Sequence, residues 1–147
     1  MRRISYCGWL LLCFASLVFM MGCVKEARQQ VCFRGGCVDV ELALTPEEWQ
    51  KGLSKRSSLN PQKGMLFVFK TIDYHAFWMK DTSIPLDMIW INASQRIVHI
   101  EKNVPPCLAD PCPVYQPPEP ALYVLEIKAG VADHLKIEYG GKADFSL

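Results

Sequence analysis

Five short runs, Met65 to Phe69, His75 to Met79, Leu86 to Ile91, Arg96 to Ile100 and Ala121 to Ile127, constrain the fold of this chain more than anything else in it. Each has strand length and is rich in aromatic or β-branched residues, and Gly64, Asp73, Pro85 and the segment Asn92-Ala93-Ser94 separate them with turn chemistry. Several such runs at near-regular spacing predict a mostly β fold. The expected form is a single compact antiparallel β-sandwich or small barrel with one or two short helices.

Upstream, Val38, Val40, Leu42 and Leu44 alternate with Asp39, Glu41 and Ala43, the period of a half-buried strand. Arg34-Gly35-Gly36 supplies turn residues before it, so a hairpin should open the domain. Thr45-Pro46-Glu47-Glu48-Trp49 then reads as a helix start: Thr45 caps, Pro46 suits the first helical position and Glu48 closes a capping box. Leu44 and Trp49 hold the staple positions, and Gly52 stops the helix after little more than one turn. Pro105 to Pro120 contains seven of the ten prolines and two cysteines, which rules out a central strand and predicts a long ordered loop. Val131 to Leu135 is expected to form a helical turn, and Ile137 to Tyr139 a last strand before Gly140-Gly141 loosens the tail.

The N-terminus addresses location. After Arg2 and Arg3 no charge appears until Lys25, and Trp9 to Met21 is almost wholly apolar, the pattern of a secretory signal. Gly22-Cys23 ends that run like a lipobox, although Met20-Met21 departs from its usual Leu and small residue. The expectation is a signal peptide at residues 1–22, a lipidated Cys23, a polar tether over 23–30 and one domain at 31–147. The alternative is an uncleaved membrane helix, because Ile4 to Gly22 approaches the ~20 residues needed to span. Either way the domain is extracytoplasmic and held to a bacterial membrane.

Without Arg2 and Arg3 the balance of 16 basic and 15 acidic residues becomes 14 against 15, and no basic stripe remains. Nucleic acid is therefore not an expected partner. Once Cys7, Cys13 and Cys23 are set aside, Cys32, Cys37, Cys107 and Cys112 remain, an even number that reads as two disulfides in an exported chain. A turn at Arg34-Gly35 would place the Cα atoms of Cys32 and Cys37 ~4.5 Å apart, within bridging range. Symmetrical spacing favours 32 with 37 and 107 with 112, while a long-range bridge such as 32 to 107 stays open. A four-cysteine zinc site is also possible by spacing, but an oxidising compartment weighs against it. No Cys-x-x-Cys redox pair is present.

The run Gly64-Met65-Leu66-Phe67-Val68-Phe69, then Phe77-Trp78-Met79-Lys80-Asp81-Thr82-Ser83-Ile84-Pro85-Leu86-Asp87-Met88, Arg96-Ile97-Val98 and Tyr123-Val124-Leu125-Glu126, resembles the prokaryotic family known as domain of unknown function 192. Arg56 through Leu59 fits its lead-in, and Cys112-Pro113 with Tyr115 fits its proline-rich segment. The likeness covers Val38 to Gly141. It implies one compact, mostly β domain, often exported, with no established activity, and it lends no catalytic residues. The family usually shows Asn where this chain has Asp81, and the Cys32 to Cys37 hairpin is an addition.

Candidate chemistry centres on carboxylates set in apolar strands. Asp87 shares a face with Ile89 and Ile91, and Glu126 with Leu122 and Val124. Buried carboxylates need partners, and Arg56 and Lys80 are the natural ones. With Asp81 these residues form the expected ligand-binding cluster, suited to an anionic or polyol ligand or to acid and base roles. Structural capping by Asp87 and Glu126 is the plainer alternative. His75, Met79, Met65, Met88 and His99 are residue types that bind copper in exported proteins, but in strands they belong more often to the core, and His134 to the surface. Trp78, Trp90, Phe77, Tyr115 and Tyr123 offer platforms for sugar or peptide, or core. Nucleophile elbows, phosphate loops and zinc-protease helices are absent from the sequence, and no cofactor or metal is expected. The leading functional expectation is a ligand-binding or accessory module of the cell envelope, engaging a small ligand, glycan or envelope protein. The alternatives are a small hydrolase using the carboxylate pair and a structural scaffold.

Overall fold

The computed structural model describes residues 29–147. The apolar run, Cys23 and most of the expected tether lie outside the described residues. Strand pairing begins just inside that tether, at Gln30.

Two strands form the opening hairpin, β1 (Gln30–Phe33) and β2 (Gly36–Ala43), with Cys32 opposite Cys37. Their sulfurs are bonded, at a Cα separation of 4.0 Å. Helix α1 (Pro46–Lys51) follows with its capping box complete: Thr45 Oγ1 accepts from Glu48 N at 3.3 Å, and Glu48 Oε2 accepts from Thr45 N at 3.0 Å. Trp49 turns inward, donating from Nε1 to the Ala43 carbonyl and packing on Phe69, while Leu44 stays about half exposed.

Beyond α1 run β3 (Lys63–Asp73), β4 (Phe77–Trp78), β5 (Leu86–Ile91), β6 (Ile97–Val104), β7 (Val114–Tyr115) and β8 (Ala121–Lys128), then helix α2 (Val131–His134). Six strands form one curled sheet in the order β1-β2-β3-β8-β5-β6, a half-barrel, and β4 pairs with β7 in a second, two-stranded sheet. The fold is mostly β with two short helices, as expected, but the main sheet is mixed rather than antiparallel throughout. Strands β2 and β3 run parallel because α1 and the loop after it cross one face before β3 begins, the long connection that parallel neighbours require.

The expected strand at Ile137 to Tyr139 does not form. Lys136 (φ 55°) and Gly140 (φ 74°) turn the chain there. Instead the tail bridges the two outer strands' regions: Cys32 and Asp144 exchange backbone hydrogen bonds of 2.9 Å, and Arg96 pairs with Lys142. The tail thus draws the sheet's edges toward each other.

Alternation along the strands produces two cores. On one face, under α1 and the small sheet, lie Met65, Phe67, Met88, Trp90 and Val124. On the other, under α2 and the tail, lie Leu66, Ile89, Ile91, Leu125 and Ile127. Strand β5 is buried along its whole length because both faces are covered. The proline-rich loop is ordered through β7, where Tyr115 pairs with Phe77 and Val114 with Trp78, and through the Cys107–Cys112 disulfide. The four sulfurs are joined in two separate disulfides, so none of them is a free thiolate for zinc.

Candidate functional site

Register decides which carboxylates meet. Glu126 lies directly between Met65 of β3 and Met88 of β5, so its side chain points into the face covered by α1. Asp87 pairs with Ile127 and points to the opposite face. The expected grouping of Asp87 with Glu126 is therefore corrected: one sheet thickness separates them. Each strand's own alternation was readable, but the offset between strands was not. Asp87 is fully buried, and its two carboxylate oxygens accept from the backbone N–H groups of Asn103 (2.8 Å) and Ala132 (2.9 Å). It ties β6 and α2 to the sheet.

Glu126 is different in kind. It is 5% exposed, and no hydrogen bond from the described residues reaches its carboxyl. The last turn of α1 lies over it. Gly52 has φ 45°, the left-handed region that favours glycine, and a side chain there would crowd the Phe67 ring at 3.2 Å next to Glu126. Trp49, Phe77, Trp78 and Lys80 complete a narrow cleft of about 30 Å³ that ends on Glu126, room for a water or two.

Burial is the larger influence on this carboxyl, pushing it up to about 8, and the Arg56 guanidinium opposes that only in part. Arg56 is engaged elsewhere: it donates two 2.7 Å hydrogen bonds to Glu41, holding that carboxylate below its usual range while its own affinity for its proton rises. At neutral pH Glu126 is thus mostly a neutral acid, one O–H donor and one acceptor at the base of an aromatic cleft.

Of the expected cluster, Lys80 and Glu126 line the cleft and Arg56 acts on Glu126 from beside it. Asp81 is exposed, with φ 56°, and its carbonyl accepts from Lys55 N at 2.8 Å, fixing the turn after β4 to the loop after α1. Asn and Asp both tolerate that left-handed conformation, so Asp81 can form the turn that Asn forms in the family pattern. Met65, Met79 and Met88 are core residues, His75 stacks on Phe69 at 3.6 Å, His99 meets Glu101 at 2.9 Å, and His134 is exposed. They do not converge on one point. Sequence reasoning missed Gly52 and Trp49 as walls and Glu41 as Arg56's partner. Glu41 was visible as the polar side of an alternating strand, and Gly52 as a helix stop.

Residues 29–145 match the family model described as DUF192, an uncharacterized ACR. The chain belongs to the DUF192 family. Two solved structures share its fold. One, a protein of unknown function from Novosphingobium aromaticivorans DSM 12444, is 34% identical with a TM-score of 0.72, over 80% of this chain and 83% of that one. The other, a candidate transcription regulator from Sinorhizobium meliloti 1021, is 32% identical with a TM-score of 0.72, over 80% and 92%. No curated protein matches the chain. The cleft described above falls within the DUF192 match, since Trp49, Gly52, Lys80 and Glu126 all lie between residues 29 and 145.

Proposed function

We propose that this DUF192 chain is a ligand-binding module of the cell envelope, lipid-anchored through Cys23, with the cleft over Glu126 as its binding site. The observation that carries the reading is a nearly buried carboxyl that accepts no hydrogen bond from the described residues and opens on a cleft walled by aromatic rings. Its oxygens still meet the solvent of the cleft, so a ligand entering there exchanges water for a direct hydrogen bond to the carboxyl. The apolar segment ending at Gly22-Cys23 supports export and anchoring. Labelling with palmitate, abolished in Cys23→Ala, tests the anchor.

A hydrolase using two carboxylates is less well supported, because Asp87 and Glu126 occupy opposite faces. Nucleic acid is a weaker reading as partner, because a chain of 16 basic and 15 acidic residues carries no block of like charges. The test is a thermal-shift screen of the full chain against envelope-derived small molecules, repeated with Glu126→Leu, which keeps the bulk and removes the hydrogen-bonding group. A compound at a hundredfold excess over its dissociation constant stabilises by about 2.7 kcal/mol, a shift of several degrees. Ligands whose shift vanishes in Glu126→Leu are expected. A shift that survives the substitution would place the site elsewhere, and a screen without any shift would favour a structural scaffold.

A further inference from the structure

The cleft's dimensions and charges describe what it takes. Its volume of about 30 Å³ admits a hydroxyl or hydroxymethyl arm and excludes a ring, so the body of any ligand must rest on the rim. There Trp78 is 50% exposed, beside Val114 on the outer face of the β4–β7 pair. An exposed indole face carries negative quadrupole density and attracts the weakly positive C–H hydrogens of a saturated ring. The rim charges have one sign. Lys51 and Lys80 line the cleft, and the Lys80 ammonium stands 5.6 Å from the centre of the Trp78 ring. Glu126 is the one acid lining the cleft, and it is buried at the base. A cationic ligand would meet two ammonium groups in the cleft, the exposed acids nearest Lys80, Asp81 and Asp110, lining a separate depression with it. The Lys80 ammonium lies over one face of the Trp78 ring, and an anionic group that draws it aside would pair with it and leave that face to the ligand's ring.

We propose that the cleft recognises an acidic sugar, its ring stacked on Trp78, its carboxylate paired with Lys80 and a hydroxyl arm hydrogen-bonded to Glu126. This inference rests on the reading of the Glu126 cleft as a ligand site and adds the ligand's class and the residues that select it. Trp78 and Lys80 are the specificity determinants, and Glu126 reads the hydroxyl.

Isothermal titration of the full chain with three matched disaccharides, ending in glucuronate, glucose and glucosamine, tests it. The glucuronate sugar should bind at least tenfold more tightly than the glucose sugar, and the glucosamine sugar more weakly than either. Lys80→Gln should bring the glucuronate sugar close to the glucose sugar. Trp78→Ala should weaken all three by tenfold or more, and because both side chains are exposed the far-UV circular dichroism of each variant should be unchanged. Equal binding of the acidic and neutral sugars would overturn the proposal. So would a screen in which no sugar binds but another compound class stabilises the wild type and not Glu126→Leu, an outcome that leaves the Glu126 site itself standing. Absence of any Glu126-dependent compound would remove both.

Discussion

Replacing Glu126 with Gln isolates the consequence of keeping a carboxyl under the last turn of α1. In the unfolded chain this group titrates near 4.5, and in the folded chain near 8. Below pH 4.5 both states hold the proton, and the carboxyl costs nothing by titration. As pH rises toward 8 the unfolded chain releases a proton that the folded chain retains, so folding loses about 1.4 kcal/mol per pH unit across that window. Between pH 5 and 7.5 the loss amounts to about 3 kcal/mol, already reduced by the attraction of Arg56. Glutamine has no proton to release and resembles the neutral acid in size. Urea denaturation of both proteins at intervals from pH 5 to 8 should therefore show the two stabilities diverging, with Glu126→Gln gaining about 3 kcal/mol relative to the wild type over that span. Curves that stay parallel would mean that Glu126 titrates as an ordinary surface carboxyl, and the neutral-acid description of the cleft would fail.

Other substitutions give opposite signatures. Asp87→Asn removes the charge and one acceptor from a site that receives two backbone N–H groups, and should cost roughly 2–4 kcal/mol in chemical denaturation without altering ligand affinity. Arg56→Ala should move the Glu126 titration further up, read by carboxyl NMR, while the loss of the partly exposed pair with Glu41 lowers stability by less than about 1 kcal/mol. Gly64→Ala would place a methyl carbon 2.6 Å from the Glu126 carbonyl oxygen and 2.8 Å from Ile127, and should destabilise by about 2–3 kcal/mol in the same assay. Replacing Cys32 and Cys37 together with Ala opens a short loop, for which the chain-entropy model gives about 2 kcal/mol, visible as a lower melting temperature.

The local code of this chain was legible wherever a single segment carried the information. Thr45 to Gly52 spelled out a capped and terminated helix, and the Leu86 to Ile91 run is the observed β5 without a change of boundary. What the sequence withheld is relational. Alternation marks β2 and β3 as strands but is silent on direction, so their parallel pairing emerged only with the crossover through α1. Likewise, Asp87 and Glu126 each sit among apolar neighbours on their own strand, and both look like one buried cluster until the pairing of Glu126 with Met88 puts them on opposite faces. The tail failed as an expected strand because Lys136 adopts a left-handed turn that its residue type does not announce, while the turn at Gly140 was marked by glycine.

The most direct test is the ¹³C NMR titration of the Glu126 carboxyl carbon in the full chain, with and without the glucuronate disaccharide. In the free protein the resonance is expected to report a neutral acid at pH 7 and to titrate near 8, and the bound sugar is expected to shift both the resonance and its midpoint. A carboxyl already ionised by pH 6, or one indifferent to every ligand that binds, would contradict the assignment of this cleft.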